Sequence, residues 1–91
     1  MYILVVEDEK KVAGFLKKGL EEECHTVDVV YDGEEGLAMA MANHYDLIIL
    51  DIMLPKKNGM QVLKELRMRR ISIPILMLTA RDSLEDSLIV D

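Results

Sequence analysis

Three short apolar runs in this chain stop on side chains able to do chemistry. Tyr2-Ile3-Leu4-Val5-Val6 ends in Glu7-Asp8, Leu47 to Leu50 ends in Asp51, and Ile75 to Leu78 ends in Thr79. Runs of this length and type read as strands buried in a sheet. If the strands are parallel, their ends share one edge, where α/β folds place their sites. Glu7, Asp8 and Asp51 gathered there would repel one another, and a divalent cation resolves the conflict. Mg²⁺ suits it, because it accepts a few carboxylates, keeps waters and then takes a phosphate oxygen. With the cation bound, one carboxylate oxygen could attack a phosphoryl group, and a hydroxyl such as Thr79 could bind one of its oxygens. The plainer account is that an acid at a strand end is a turn former or helix cap, which is the commoner case for any one alone. Three acids and a hydroxyl on one predicted edge favour a site.

The elements that must position these groups follow from periodicity. After the first strand, Val12, Phe15, Leu16, Gly19 and Leu20 recur at helical spacing. Thr26 to Tyr31 reads as an edge strand with one wetter face, since Asp28 interrupts it. Asp32-Gly33 is a turn, and Leu37, Ala40, Met41 and His44 mark the next helix stripe, with the methionines as core filler. The strand ending at Asp51 meets Pro55, which blocks its extension, and the polar turn Lys56-Lys57-Asn58-Gly59. Asn58 can cap a helix with Val62, Leu63 and Leu66 facing inward. Arg67, Arg69 and Arg70 complement the dipole at its end rather than bind nucleic acid. Past Thr79, Ser83 and Asp86 resemble a capping pair, and Leu84 and Leu88 suggest a further helix. Strands alternating with helices predict an α/β fold, a parallel sheet with right-handed crossovers.

Composition bounds the rest. The chain has 91 residues, enough for one small domain spanning 1–91. A net charge of −6 argues against direct nucleic-acid binding. Cys24 is the only cysteine and reads as a small half-buried side chain; one cysteine allows no intrachain disulfide. His25 and His44 lack metal-ligand spacing. No signal peptide or membrane-length apolar run is visible, so the expected location is the cytoplasm, with no membrane partner.

Taken together, Ile3-Leu4-Val5-Val6-Glu7-Asp8-Glu9, Asp51 through Pro55 to Asn58-Gly59, and Pro74 through Thr79 to Ala80-Arg81 resemble the receiver domain of two-component response regulators. The resemblance implies a flavodoxin-like, doubly wound parallel sheet. It implies that Asp51 is the phosphoacceptor for a sensor histidine kinase. Asp8, Asp51 and the backbone carbonyl of Met53 would hold Mg²⁺, with Glu7 acting through water. Thr79 would bind the phosphoryl group, and Ala80 would leave room for it. The Thr79-Ala80-Arg81 wording is similar to the branch whose receivers precede a winged-helix DNA-binding domain, which implies control of transcription through an output domain that this chain does not contain.

Two departures from the family pattern stand out. Asn58 occupies a position that is often Asp, and the chain stops before the family's lysine-bearing fifth strand and fifth helix. The expected strand order is therefore 2-1-3-4, with the fourth strand an open edge. One helix alone would cover the face over strands 1, 3 and 4, leaving apolar residues exposed. Association follows as an expectation, either as a homodimer or by exchange of Arg81 to Asp91 between two copies. Against the signalling reading stands a phosphorylation-independent interaction domain or non-switching fragment. An enzyme acting on an external substrate is disfavoured. The general acid that aspartyl-phosphate phosphatases commonly place two residues after the nucleophile is here Met53. A dinucleotide-binding protein is disfavoured because no Gly-rich loop follows Val6.

Overall fold

A computed structural model of the chain describes residues 1–78 and the backbone strand at 88–90. The elements run β1 Tyr2–Val6, α1 Lys10–Glu22, β2 Thr26–Val30, α2 Gly33–Ala42, β3 Leu47–Asp51, α3 Gly59–Met68, β4 Ile75–Leu78 and β5 Leu88–Val90. The sheet order is β2-β1-β3-β4-β5. The first four strands are parallel, as expected, and β1 lies centrally with Val6 opposite both Val30 and Leu50. This register brings the ends of β1 and β3 side by side.

Right-handed crossovers set the two faces. Leu4, Val6, Ile48, Leu50, Ile75 and Met77 pack with Ala40 of α2 and Val62 and Leu66 of α3. Ile3, Val5, Val27 and Ile49 pack on the other face with Leu16 and Leu20 of α1. Burial of these strand residues supplies most of the driving force, about 25 cal/mol per Å² of apolar surface.

Helix ends are finished locally. The Asp32 carboxylate accepts from Glu35 N–H at the start of α2. Asn58 and Gln61 form a reciprocal capping box at the start of α3. The helices α1 and α3 end in Schellman geometry. His25 N–H donates to Leu20 C=O and Ile71 N–H to Leu66 C=O, while Cys24 and Arg70 take positive φ of 68° and 60°. The Arg67 guanidinium donates to the carbonyls of Ile71 and Ile73, so it anchors the α3–β4 connection as well as facing the helix dipole.

Several expectations are corrected. Phe15 is 78% exposed, because the inward stripe of α1 is Val12, Ala13, Leu16 and Leu20; the small Ala13 lets the helix sit close to the sheet. Met41 is 46% exposed while Ala40 is buried. Cys24 is exposed, since it is the left-handed residue past the end of α1. The residues beyond β4 do not leave its edge open. Leu88–Val90 pairs antiparallel with β4, Leu76 opposite Val90 and Leu78 opposite Leu88, where a helix through Leu88 was expected. An unpaired edge with free N–H and C=O groups favours a short β-branched partner over a helical turn. A fifth strand is therefore present, although it is not parallel. The expected exposure over the α1 face is also narrower: Ile3 and Val5 of β1 are fully buried, and among the described residues of β1, β3 and β4 the half-buried apolar side chains on that face are Leu47, Leu76 and Leu78.

Asp28 is the largest surprise in the sheet. It is half-buried and accepts from the Tyr2 hydroxyl at 2.5 Å and the Tyr45 hydroxyl at 2.8 Å. The two rings lie 4.4 Å apart. The tyrosyl donors hold the Asp28 carboxyl below the usual carboxylate range. Its contribution to stability is present above the ordinary carboxylate pKa and is lost as pH falls through its lowered value. Tyr45→Phe should therefore cost about 1 kcal/mol in a urea titration at pH 7. A wild-type midpoint in that variant would show that the second donor contributes nothing.

Candidate functional site

Glu7 and Asp8 follow β1 directly, and Asp51 is the last residue of β3. Ligand oxygens of Glu7, Asp8 and Asp51 all lie within 4.8 Å of one another. Glu7 and Asp51 are 5% and 6% exposed, whereas Asp8 is open to solvent. The backbone at both strand ends is tied into the sheet. Glu7 N–H donates to Val30 C=O at 3.1 Å, and Ile52 N–H donates to Leu78 C=O at 3.0 Å. Two further bonds orient the carboxylates: Glu9 N–H donates to Glu7 Oε2 at 2.9 Å, and Met53 N–H to Asp51 Oδ1 at 3.2 Å.

The loop after Asp51 is compact because α3 begins against it. Gly59 N–H donates to Ile52 C=O at 2.9 Å. A Cβ on Gly59 would stand 2.2 Å from the Asp51 carbonyl oxygen, so only glycine fits. Met53 has an exposed side chain, and its backbone N–H is already aimed at the Asp51 carboxylate. The two lysines of this loop are engaged elsewhere, Lys56 with Asp32 and Lys57 with Glu65.

The electrostatics fit a hard cation. Burial and the nearby Asp51 charge push the Glu7 carboxyl up to about 7, against the partial relief of the Glu9 N–H. Burial also raises the Asp51 carboxyl, with the Asp8 charge adding to it. Hard oxygen donors held within a few ångströms, two of them short of compensating charge, are the donor set that Mg²⁺ or Ca²⁺ takes. The structure thus brings together Glu7, Asp8, Asp51 and the Met53 backbone. Thr79 and Ala80 lie outside the described residues, as do Ser83, Leu84 and Asp86. The sequence reading treated Asp32-Gly33 only as a turn, yet both touch the Asp51 loop; an Asp-Gly pair ahead of a helix was the available signal.

The raised Glu7 has a consequence for pH. Below about 4.5 it is protonated in both folded and unfolded chains. Between there and about 7 the folded chain keeps a proton that the unfolded chain gives up. Stability without divalent cation should therefore fall as pH rises through this window, by on the order of 2 kcal/mol. Urea midpoints across that range check it. Glu7→Gln should flatten the slope, and an unchanged slope in that variant would exclude Glu7 as the titrating group.

Comparison with known proteins now bears on this geometry. Residues 3–90 match the family model described as the response regulator receiver domain. The response regulator ArlR of Staphylococcus aureus is 45% identical over 84 residues, which cover 92% of this chain and 38% of ArlR. The chain thus spans well under half the length of that relative. The receiver domain of a Francisella response regulator superposes with a TM-score of 0.86 at 40% identity, over 93% of this chain and 70% of that one. The Thermotoga maritima response regulator TrrA, solved in complex with Mg²⁺ and BeF, superposes with a TM-score of 0.83 at 40% identity, over 89% of this chain and 70% of that one. The chain belongs to the response regulator receiver domain family.

Proposed function

We propose that residues 1–91 form one receiver domain that accepts a phosphoryl group on Asp51 from a phosphohistidine of a sensor histidine kinase. The observation that carries this is the cluster of Glu7, Asp8 and Asp51 at the ends of adjacent parallel strands. In the transfer, an Asp51 carboxylate oxygen bonds to phosphorus as the phosphorus–nitrogen bond breaks. The imidazole departs with that electron pair, and the product is an aspartyl phosphate. Bound Mg²⁺ supplies neutralisation of the phosphoryl oxygens. Asp8, Asp51 and the Met53 carbonyl would hold the ion, with Glu7 acting through water, and Thr79 would bind the phosphoryl group. The solved complex of TrrA with Mg²⁺ supports the choice of ion. The chain is an acceptor in this reaction and turns over no external substrate.

The wider setting is read from the relatives. The Thr79-Ala80-Arg81 wording, together with the match to a response regulator, supports a regulator whose output is transcription. Among the described residues no helix is long and apolar enough to cross a membrane, and a cytoplasmic location fits a kinase-fed receiver. Half-buried Leu47, Leu76 and Leu78, with exposed Phe15, favour a homodimer through the α1 face. Exchange of residues 81–91 loses its motive, since 88–90 already pair with β4 of the same chain. Sedimentation at micromolar concentration checks this, and a single monomeric species counts against it.

Acetyl phosphate with Mg²⁺ should add one phosphoryl group, and Asp51→Asn should abolish it. Retained labelling in Asp51→Asn would place the acceptor elsewhere. No labelling of the parent would favour a phosphorylation-independent interaction domain. Mg²⁺ should also raise the unfolding temperature of the parent, because a ligand bound only by the folded chain stabilises it. Asp8→Asn should lose most of that increase.

A further inference from the structure

The turn between β2 and α2 carries no group of the acid cluster, yet it is built against the loop that follows Asp51. Gly33 N–H donates to Pro55 C=O at 3.4 Å. A Cβ on Gly33 would stand 1.6 Å from the Lys57 carbonyl oxygen and 2.6 Å from its carbon. That is backbone against backbone, so no side-chain rotation could relieve it. Asp32 is 6% exposed and works in two directions. Its Oδ1 accepts from Glu35 N–H at 2.8 Å, and its Oδ2 faces Lys56 Nζ at 3.6 Å. Lys56 itself stands at φ 66°, a left-handed conformation that a lysine keeps only where its surroundings hold it.

The loop has little freedom to absorb a push from this side. Its far end is tied by Gly59 N–H to Ile52 C=O, and Lys57 N–H donates back to Pro55 C=O at 2.7 Å. Leu54 N–H also donates to Ile52 C=O at 3.1 Å. Displacement of the Lys57 carbonyl must therefore pass into residues 53–56, and the Met53 backbone is the part that meets Asp51.

We propose that Asp32 and Gly33 are positioning residues for the phosphoacceptor site: they form the abutment that sets the 55–57 segment, and through it the Met53 backbone, relative to Asp51. The proposal rests on the reading of Asp51 and Mg²⁺ given under Proposed function. The competing account is that Asp32 only caps α2 and Gly33 only permits close packing. That account predicts lost stability without any change at the site.

The test measures the Mg²⁺ dissociation constant of the folded chain by titration calorimetry at low temperature, beside acetyl-phosphate labelling. Gly33→Ala should weaken Mg²⁺ binding about tenfold, the range seen when groups that orient metal ligands are lost. Asp32→Ser keeps an oxygen for Glu35 N–H and removes the carboxylate facing Lys56; it should weaken binding by a smaller but measurable factor. Val27→Ala, buried on the opposite face, lowers stability and should leave Mg²⁺ binding unchanged. Lys57→Gly added to Gly33→Ala frees the carbonyl to turn away and should recover part of the affinity. Parent-like Mg²⁺ affinity in both Gly33→Ala and Asp32→Ser overturns the proposal. If Gly33→Ala does not fold, Asp32→Ser decides alone, with unchanged affinity the overturning result. A parent chain that binds no Mg²⁺ and takes no label overturns the function reading itself, and this proposal with it.

Discussion

Three carboxylates held within 4.8 Å of one another set the terms for the rest of the molecule. Left to themselves they would move apart or take up protons. The chain prevents separation by placing them on the ends of two adjacent parallel strands, both wholly inside the sheet. Val6 pairs with Leu50 across β1 and β3, so Glu7 and Asp51 cannot slide past one another without breaking the ladder. The ladder in turn is held by burial on both faces, where Ile3, Leu4, Val5, Val6, Ile48 and Leu50 are almost wholly shielded from water. The hydrophobic core thus stabilises a crowded edge that electrostatics alone would disperse. What remains of the conflict appears as raised proton affinity at Glu7 and Asp51. A cation at that edge relieves it, which links metal binding to the stability of the same strands.

Much of this was legible in the sequence because it depends on short-range pattern. Continuous apolar runs ending in acids mark β1 and β3, and their spacing marks the crossovers. Asn58 announces the α3 cap through its own side chain. The features that were not legible depend on a partner distant in sequence. Asp28 reads as a solvated residue until Tyr45 is brought across from the segment before β3. Phe15 and Ala13 compete for the inward side of α1, and which one wins is decided by how closely the helix approaches the sheet. Leu88–Val90 carries a weak helical pattern, and pairing with the free edge of β4 overrides it. Cys24 reads as a small half-buried side chain, but its backbone takes the left-handed turn that ends α1 and leaves it exposed.

The two faces of the sheet are unequal, and this follows from the strand order. From β1 the chain first steps outward to β2 and then reverses to β3 and β4. Right-handed crossovers therefore send α1 to one face and both α2 and α3 to the other. The two-helix face closes over Ile48, Leu50, Ile75 and Met77. The one-helix face covers β1 fully, and its protection weakens towards β4, where Leu76 and Leu78 are half-buried.

The acids of this chain also show how a compensated carboxylate differs physically from those of the candidate site. Asp28 is half-buried and Asp32 is buried, and both are held below the usual carboxylate range. Each has donors that match its charge: two tyrosyl hydroxyls for Asp28, and for Asp32 the helix N–H of Glu35 with Lys56 beyond. Glu7 and Asp51 are buried as deeply as Asp32, but the N–H groups of Glu9 and Met53 that they accept from do not offset that burial, and they face one another. Burial alone therefore does not single out the site, since Asp32 is as shielded as Asp51. The distinguishing feature is compensation. Where folding supplies donors, the charge is part of the scaffold; where folding withholds them and adds a like charge, the missing positive charge must come from outside the chain.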